Sequence, residues 1–300
     1  MGKKVLAIYY SQSGQLEEII GHFTAPLVEA GVSVETVRVR PVTEYPFPWT
    51  TAQFYSVMPD CVLGVTHGLQ PFSLREKNYD LIILGYQAWF LSPSIPVNSL
   101  LQDQTFQSIL KNTPVITITG ARNMWLNAFA GVKQHLLRAG ALLVGNIALV
   151  DRHPNHISFV TIFHWLLGGK KDRYLGFFPY PGVSASDIAH TSVFGNIVLE
   201  YLRAERSWTG LQEEFMQQKA VELKYSLLLL ETKAIPTYFV WANFIVKRKK
   251  TAGWLTVFRY YLLFSLFVAA PVLLIFDNVF IRPFSQKRIK AKKQHYLALD

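Results

Sequence analysis

Two serines and a glycine lie in a short polar stretch near the start of the chain, where they could bind a phosphate. The stretch is Ser11-Gln12-Ser13-Gly14-Gln15, and Leu16 begins the apolar spacing of a helix. Backbone N–H groups at a helix N-terminus and serine hydroxyls can converge on a phosphate dianion, and glycine lets the backbone approach it. We predict that Ser11 to Leu16 hold a phosphate; serines that only cap the helix are the alternative.

The same loop restricts the kind of phosphate compound. It has no lysine, unlike the G-x-x-x-x-G-K-[ST] loop of nucleoside triphosphate sites, and it lacks the G-x-G-x-x-G fingerprint of dinucleotide sites. A monophosphate that is shielded by hydroxyls and backbone amides, as in FMN, suits the pattern better. FMN is therefore the predicted cofactor.

Apolar runs of strand length alternate with helix-like segments over the first 150 residues, and a fold follows from that order. Strands are predicted over residues 5–10, 34–39, 81–86, 114–120 and 142–150, and helices over 16–30, 97–110 and 125–139. We predict an α/β fold, a flavodoxin-like five-stranded parallel sheet with helices on both faces, which binds ligands at the carboxyl ends of its strands. Residues 41–78 contain five prolines and are predicted to form a long irregular insertion.

Several stretches of the sequence resemble known families. Residues 9–15 resemble the phosphate-binding first loop of flavodoxins and flavodoxin-like quinone reductases. Residues 46–49, 84–94, 120–125 and 151–155 look like the dialkylresorcinol condensing enzyme family. Proteins of that family work beside a ketosynthase and are proposed to be the aromatase of their pathway. The resemblance implies a lipid-like diketone substrate and a ketosynthase partner.

In a flavodoxin-like fold the flavin ring lies between the loops after the third and fourth strands, here residues 87–94 and 120–125. Aromatic side chains there would stack on the ring or wall its pocket, and amides would bond its pyrimidine edge; ordinary core packing is the alternative for each aromatic. The predicted cofactor-binding residues of these loops are Gln87, Ala88, Trp89, Phe90, Gly120, Ala121, Arg122, Asn123, Met124 and Trp125.

Arg122 and His153 are the predicted catalytic residues. Arg122 is the only cation in the two ring loops, where it would stabilise an anionic reduced flavin or hold an enolate oxygen; a surface ion pair is the alternative. His153 follows the fifth strand and could accept a proton near neutral pH, with Asp151 orienting it. No H-E-x-x-H spacing accompanies His153, His156 and His164, so no metal is predicted, and structural roles are expected for the last two.

Charge and cysteine content limit the cellular locations and the kinds of partner that we expect for the protein. The formal net charge is +10, and basic runs at 247–250 and 287–293 bracket the most apolar part of the chain. This placement favours a membrane surface over nucleic acid, for which no zinc-finger or RNA-binding signature is present. Cys61 is the only cysteine, so no intramolecular disulfide can form. With no signal-peptide pattern at the start, we expect the protein on the cytoplasmic side of the inner membrane.

The second half of the chain is predicted to be mainly helical and apolar. Helices are predicted from a cap at Ser184 or Ser186 to residue 206 and over residues 211–230. Residues 254–276 are long enough to span a bilayer, for which ~20 are needed. An interfacial segment, a re-entrant hairpin bent at Pro271 and a buried core helix are the alternatives; we predict membrane association of one of these kinds.

Together these features predict three regions and one function. Residues 1–152 form the FMN-binding domain, 153–250 a helical extension on the substrate side, and 251–300 an apolar membrane-associating segment with a basic tail. The predicted function is an FMN-dependent oxidoreductase that oxidises a dialkylcyclohexane-1,3-dione to a dialkylresorcinol. An NAD(P)H-quinone reductase, and an electron carrier or non-catalytic ketosynthase partner, remain alternatives. The electron acceptor and homo-oligomerisation stay open.

Overall fold

The structure, a computed structural model, describes residues 2–297 and 299, so residues 298 and 300 of the predicted basic tail lie outside the described residues. Its centre is a five-stranded parallel sheet of order β2-β1-β3-β6-β7, beside which β4 and β5 form a small antiparallel hairpin. The strands are β1 (Lys4–Tyr9), β2 (Ser33–Arg38), β3 (Leu81–Tyr86), β4 (Ala88–Trp89), β5 (Ser92–Pro93), β6 (Pro114–Ala121) and β7 (Leu142–Val150).

This strand order confirms the predicted flavodoxin-like α/β fold. Without the hairpin the order is 2-1-3-4-5, in which the chain reverses direction across the sheet between β1 and β3. Every residue of β3 is buried, so both faces of the sheet are covered. Continuous apolar runs of this kind form the interior strands of parallel sheets because helices pack on both sides.

Helices account for most of the remaining chain. Those in the first 150 residues are α1 (Gln15–Glu29), α2 (Thr51–Ser56), α3 (Met58–Leu63), α4 (Ile95–Leu101), α5 (Gln104–Gln107) and α6 (Leu126–Arg138). The later ones are α7 (Asn155–Gly168), α8 (Ala185–Arg203), α9 (Leu211–Gln217), α10 (Tyr225–Val246), α11 (Thr251–Phe264), α12 (Ala270–Phe276) and α13 (Arg282–Leu297).

Three predicted segments differ from the structure. The insertion at 41–78 carries the short helices α2 and α3. The predicted helix over 97–110 is divided into α4 and α5, and Asp103 caps the second by accepting a hydrogen bond from the Phe106 N–H at 3.1 Å. The predicted helix over 211–230 was wrong, because residues 218–224 leave the helical path between α9 and α10.

That interruption closes the edge of the sheet. The Ala148 N–H of β7 donates to the Ala220 carbonyl at 2.9 Å, and the Asn146 N–H donates to Gln212 Oε1 at 2.8 Å. An edge strand with unpaired N–H groups is open to pairing with other chains. Here those groups are satisfied from α9 and the segment after it, which explains why that segment is not helical.

The helical extension shares its core with the sheet. Helix α8 begins after Ser184, which caps it as predicted, and crosses α1 at Gly195. Phe194 on α8 and Phe23 on α1 are both fully buried in one cluster with the strands. The division of the chain into domains at residue 152 stays a prediction.

The apolar C-terminal segment is one continuous helix from Thr251 to Lys287. It includes α11, α12 and two π-helical stretches, Ser265–Ala269 and Asp277–Ile281. The helix runs through Pro271, so the bend of a re-entrant hairpin is not present. Wider π turns before a proline relieve the missing N–H and ring clash without a break in the helix.

The crossing of α1 and α8 can be tested by adding one methyl group to it. A Cβ at Gly195 would overlap the Phe23 carbonyl oxygen, which belongs to the backbone and cannot turn away. We expect Gly195→Ala to lower the free energy of unfolding by about 1–3 kcal/mol, since the helices must separate. Urea unfolding followed by circular dichroism measures this.

Gly21→Ala, on the exposed side of α1, is the matched control because nothing lies within 4 Å of its Cβ position. It should stabilise the protein by about 0.5–1 kcal/mol through helix propensity alone. Equal effects of the two substitutions would contradict the close crossing.

Candidate functional site

The turn from β1 into α1 leaves a helix N-terminus open. Gly14 occupies the N-cap position with φ 86°, a left-handed conformation that favours glycine, and this N-cap residue has no side chain to cap the helix. The first backbone N–H groups of α1, from Gln15 and Leu16, therefore have no intrahelical acceptor. Ser11 is buried and its Oγ accepts from the Glu17 N–H at 3.3 Å, so the alternative role of helix support applies to this serine.

A cavity of about 580 Å³ adjoins this turn, a size typical of small-molecule sites. Its predicted lining residues come from all three loops at the carboxyl edge of the sheet. They are Gln12, Ser13, Gln15, Leu16, Gln87, Ala88, Trp89, Phe90, Gly120, Ala121, Arg122 and Met124. The structure therefore brings together most of the predicted cofactor-binding residues around one space.

Five of the predicted residues are absent from the described lining of this cavity: Ser11, Gly14, Asn123, Trp125 and His153. Trp125 is 1% exposed and packs against Phe129 in the hydrophobic core, with ring centroids 5.8 Å apart. Trp125 therefore packs in the core, which was the alternative role given for each aromatic residue of the ring loops.

His153 and Asn123 line a second cavity, of about 210 Å³. The Asp151 carboxylate does not orient the His153 ring: Oδ1 accepts from the His153 backbone N–H and Oδ2 from Ser158 Oγ, both at 2.9 Å. Asp151 thereby holds the start of α7. The structure separates the predicted base from the main cavity.

Arg122 lies at the wall of the main cavity without an ion-pair partner among the described residues. Its Nη1 donates to the Asn155 side-chain oxygen at 2.7 Å and to the Asn155 carbonyl at 3.1 Å. Burial lowers the pKa of the guanidinium to about 10, so it remains charged at neutral pH. This cation does not form the alternative surface ion pair, and it can stabilise an anionic oxygen in the cavity.

Asn155 was not predicted from the sequence as a site residue. Its Oδ1 also accepts from Asn123 Nδ2 at 2.9 Å, so one amide oxygen positions two residues of the 120–125 loop. Asn155 is the first residue of α7 and lines both cavities. Its position in the 151–155 motif was the signal that could have identified it.

Buried polar atoms without a partner concentrate at this edge of the sheet. Within the described chain there are six such side-chain atoms, and five belong to residues at or after the carboxyl ends of β3 and β6. They are Tyr86 Oη, Gln87 Oε1, Ser94 Oγ, Thr119 Oγ1 and Asn123 Oδ1. Buried polar groups are nearly always bonded in folded proteins, and of these residues Gln87 lines the main cavity and Asn123 the second one, where a polar ligand could bond them.

The extension supplies a cover over the 11–16 loop that sequence reasoning missed. The Gln15 side chain bonds both the N–H and the carbonyl of Val183, each at 3.4 Å. Lys171 Nζ lies 3.5 Å from the same carbonyl and 5.3 Å from the Trp165 ring centroid. Burial lowers the pKa of Lys171. The basic run at 170–173 was a signal for a cation near the loop.

The predicted structural histidines have partners elsewhere. His164 Nε2 lies 2.7 Å from Asp172 Oδ1, and His156 Nε2 lies 3.0 Å from the Leu266 carbonyl oxygen. No group of three or more metal-ligating side chains occurs among the residues that the structure describes.

A buried carboxylate fixes the end of the 120–125 loop. Glu231 on α10 is 2% exposed, and its Oε1 accepts from the Asn127 N–H at 2.7 Å, at the N-terminus of α6. Burial raises the pKa of Glu231 to about 7, against the opposing effect of the backbone N–H groups of residues 125–127. The contact ties α10 to the loop that carries Arg122.

Comparisons with known proteins found distant similarity to solved structures. No family model matches the chain, and no curated protein matches it. A flavoprotein from Lactobacillus acidophilus NCFM, solved in complex with FMN, is 20% identical over 49% of this chain and 93% of its own, with a TM-score of 0.39. Oxidised flavodoxin 1 from Bacillus cereus is 16% identical over 68% and 100%, with a TM-score of 0.36.

Glu231 makes stability depend on pH. Because its pKa is raised in the folded protein, its contribution is fully present below the unfolded value of 4.5 and is lost as pH rises through about 7. We expect the free energy of unfolding to fall by up to about 3 kcal/mol between pH 4.5 and 8 on account of this group. Glu231→Gln keeps an acceptor for the N–H groups and should remove that part of the slope.

Urea unfolding of both proteins at several pH values across this range measures the difference. Glu205→Gln, a change at an exposed glutamate, is the control and should leave the slope nearly unchanged. A slope that Glu231→Gln fails to reduce would contradict the assignment.

Proposed function

We propose that this chain is an FMN-dependent oxidoreductase that aromatises a dialkylcyclohexane-1,3-dione to a dialkylresorcinol. One observation carries the proposal: a single cavity joins an open helix N-terminus, the cation Arg122, which has no ion-pair partner among the described residues, and an extended apolar wall. The flavodoxin-like strand order supports the cofactor, and the resemblance of residues 84–94 and 120–125 supports the substrate.

The residues present fit FMN. The Ser13 hydroxyl and the N–H groups of Gln15 and Leu16 would hold the phosphate, since Gly14 leaves room beside the helix terminus. Gln87 has a buried oxygen with no partner in the described part of the chain, and with Trp89 it would line the ring. When bound, FMN would accept a hydride equivalent from the substrate.

Arg122 is the residue we assign to the substrate's oxygen. Conversion of a cyclohexanedione to a resorcinol removes two hydrogens, one as hydride and one as a proton, and the ring passes through an enolate. A charged guanidinium held by Asn155 would stabilise that oxygen with little reorganisation. Since His153 lies at the second cavity, we assign the proton to no residue.

The apolar wall suits the alkyl substituents of such a substrate. Phe159 and Phe163 from α7 face the cavity together with Leu262, Leu266 and Leu273 of the C-terminal helix. A lipid-like diketone would place its chains along this wall and its oxygens near Arg122. The proposal also includes a ketosynthase that supplies the dione and a location at the cytoplasmic side of the inner membrane.

Cofactor binding is tested first by the visible spectrum of the protein purified in detergent, which should show bound FMN. Ser13→Asp places a negative charge at the proposed phosphate position and should raise the Kd for FMN by at least about tenfold. Ser73→Asp, at an exposed serine of the insertion, is the control and should leave the Kd unchanged. A colourless protein that takes up no FMN overturns the proposal.

Anaerobic mixing with substrates separates the alternative activities. A synthetic dialkylcyclohexanedione should bleach the flavin absorbance, and NADPH should not. Arg122→Met should slow this bleaching by about 10²-fold, because it removes the charge that stabilises the enolate, while FMN stays bound. Bleaching by NADPH alone would favour a quinone reductase, and bleaching by neither compound would favour an electron carrier.

A further inference from the structure

The C-terminal helix exposes a long apolar face that no described part of the chain covers. Along Thr251–Lys287 large apolar side chains point outward at helical spacing, and only 17% of the most apolar stretch is buried. Val272 is 62% exposed, Ile275 65% and Phe264 59%. Soluble monomers rarely leave a continuous apolar patch of this extent exposed, so the outer face needs an occupant.

The opposite face of the same helix is fixed to the protein. Phe258 and Leu266 are buried against the body, and the Leu266 carbonyl lies 3.0 Å from His156 Nε2. Further along, Asp277 is 2% exposed, and its Oδ1 accepts from the Tyr225 hydroxyl at 3.2 Å. These two polar contacts anchor the helix near the middle of its uncharged run and directly after the end of that run.

Those anchors argue against a helix that spans a bilayer. A spanning helix would be surrounded by lipid over residues 260–276, whereas here the inner residues of this range, among them Leu262, Leu266 and Leu273, line the main cavity. Crossing would break the contacts of Leu266 and Asp277 and would leave the freed carboxylate close to the hydrocarbon, at a cost of several kcal/mol. The geometry instead presents one side of the helix to the protein and the other outward.

The charge distribution identifies the occupant. Residues 247–297 contain eleven Lys and Arg residues and a single acid, Asp277, a surplus of ten that equals the formal net charge of the whole chain. Basic residues precede the apolar face at 247–250 and follow it from Arg282 onward. An anionic lipid surface complements this pattern. A second copy of the chain would bring two such surpluses together.

We propose that helix 251–287 lies in the plane of an anionic membrane surface, with its outer face among the lipid headgroups and acyl chains and its inner face on the cavity. The mode is that of an interfacial helix, in which apolar burial and basic flanks act together. The proposal depends on the helix alone and holds whether or not the protein is an FMN oxidoreductase.

Flotation of the protein with lipid vesicles tests whether helix 251–287 binds an anionic membrane surface. We expect binding to phosphatidylcholine vesicles that contain phosphatidylglycerol, much weaker binding to phosphatidylcholine alone, and loss of binding as salt is raised. The double variant Lys249→Gln/Lys250→Gln should weaken binding by about fivefold per residue. Binding that is equal for both vesicle types and insensitive to salt overturns the proposal.

Two outward substitutions test the apolar face. Val272→Glu and Ile275→Glu should each lower vesicle affinity by at least about tenfold, since each would place a charge among acyl chains. Val42→Glu, at a valine that is 63% exposed on the insertion, is the matched control and should bind like the unchanged protein.

Membrane extraction distinguishes an in-plane helix from a spanning one, and the oligomeric state tests whether a second copy of the chain covers the outer face. Release of the protein from membranes by alkaline carbonate supports the in-plane helix, and retention indicates a spanning helix and overturns it. Light scattering without lipid should show the same mass for the protein and for Val272→Glu. A dimer that Val272→Glu dissociates would identify a second copy as the occupant and would overturn the proposal.

Discussion

The open N-terminus of α1 is the constraint on which the rest of the site depends. Backbone N–H groups that cannot bond within the helix must meet an acceptor, and the left-handed turn at Gly14 keeps that position free of side chains. Residues of the extension pack around this terminus. The Gln15 side chain bonds the Val183 backbone, and Lys171 Nζ lies close to the same carbonyl. A segment 168 residues away in sequence is thereby brought over the first loop.

The extension after β7 completes the cavity as well as covering the sheet. Helix α7 contributes Asn155, which positions Arg122, and α10 contributes Glu231, which holds the start of α6. The long C-terminal helix adds the apolar wall. A minimal flavodoxin-like sheet would offer the loops alone, so the extension determines the shape and polarity of the space beyond them.

Most of the sheet could be predicted from the sequence because its strands are largely buried and mostly apolar; the partly exposed edge strand β2 is the exception. The residues 81–86 and 142–150 form strands with the predicted bounds for this reason. The predicted helix over 211–230 failed because the bond from Ala148 to Ala220 is a long-range contact that leaves no periodic signal. The local hydrophobic spacing is helical there, and tertiary structure overrides it.

The candidate site, like the fold, could be predicted from the sequence only in part. Polar and glycine-rich loops after strands were readable, since parallel strands bring their carboxyl ends to one edge. What a side chain does within a loop was not readable: Trp125 turns into the core, Ser11 supports the helix, and Asp151 bonds backbone instead of the His153 ring. Such choices depend on the elements that pack from outside the loop, here mostly the extension.

The C-terminal helix has one further consequence because it is shared between two surroundings. Its residues Leu262, Leu266 and Leu273 line the cavity, while Phe264 and Val272 on the same turns face away from the protein. Because both faces belong to one helix, binding in the cavity and binding at the outer face are coupled to the extent that both favour the same helix position. By thermodynamic reciprocity, the factor by which binding at one face raises the affinity at the other face is the same in the reverse direction.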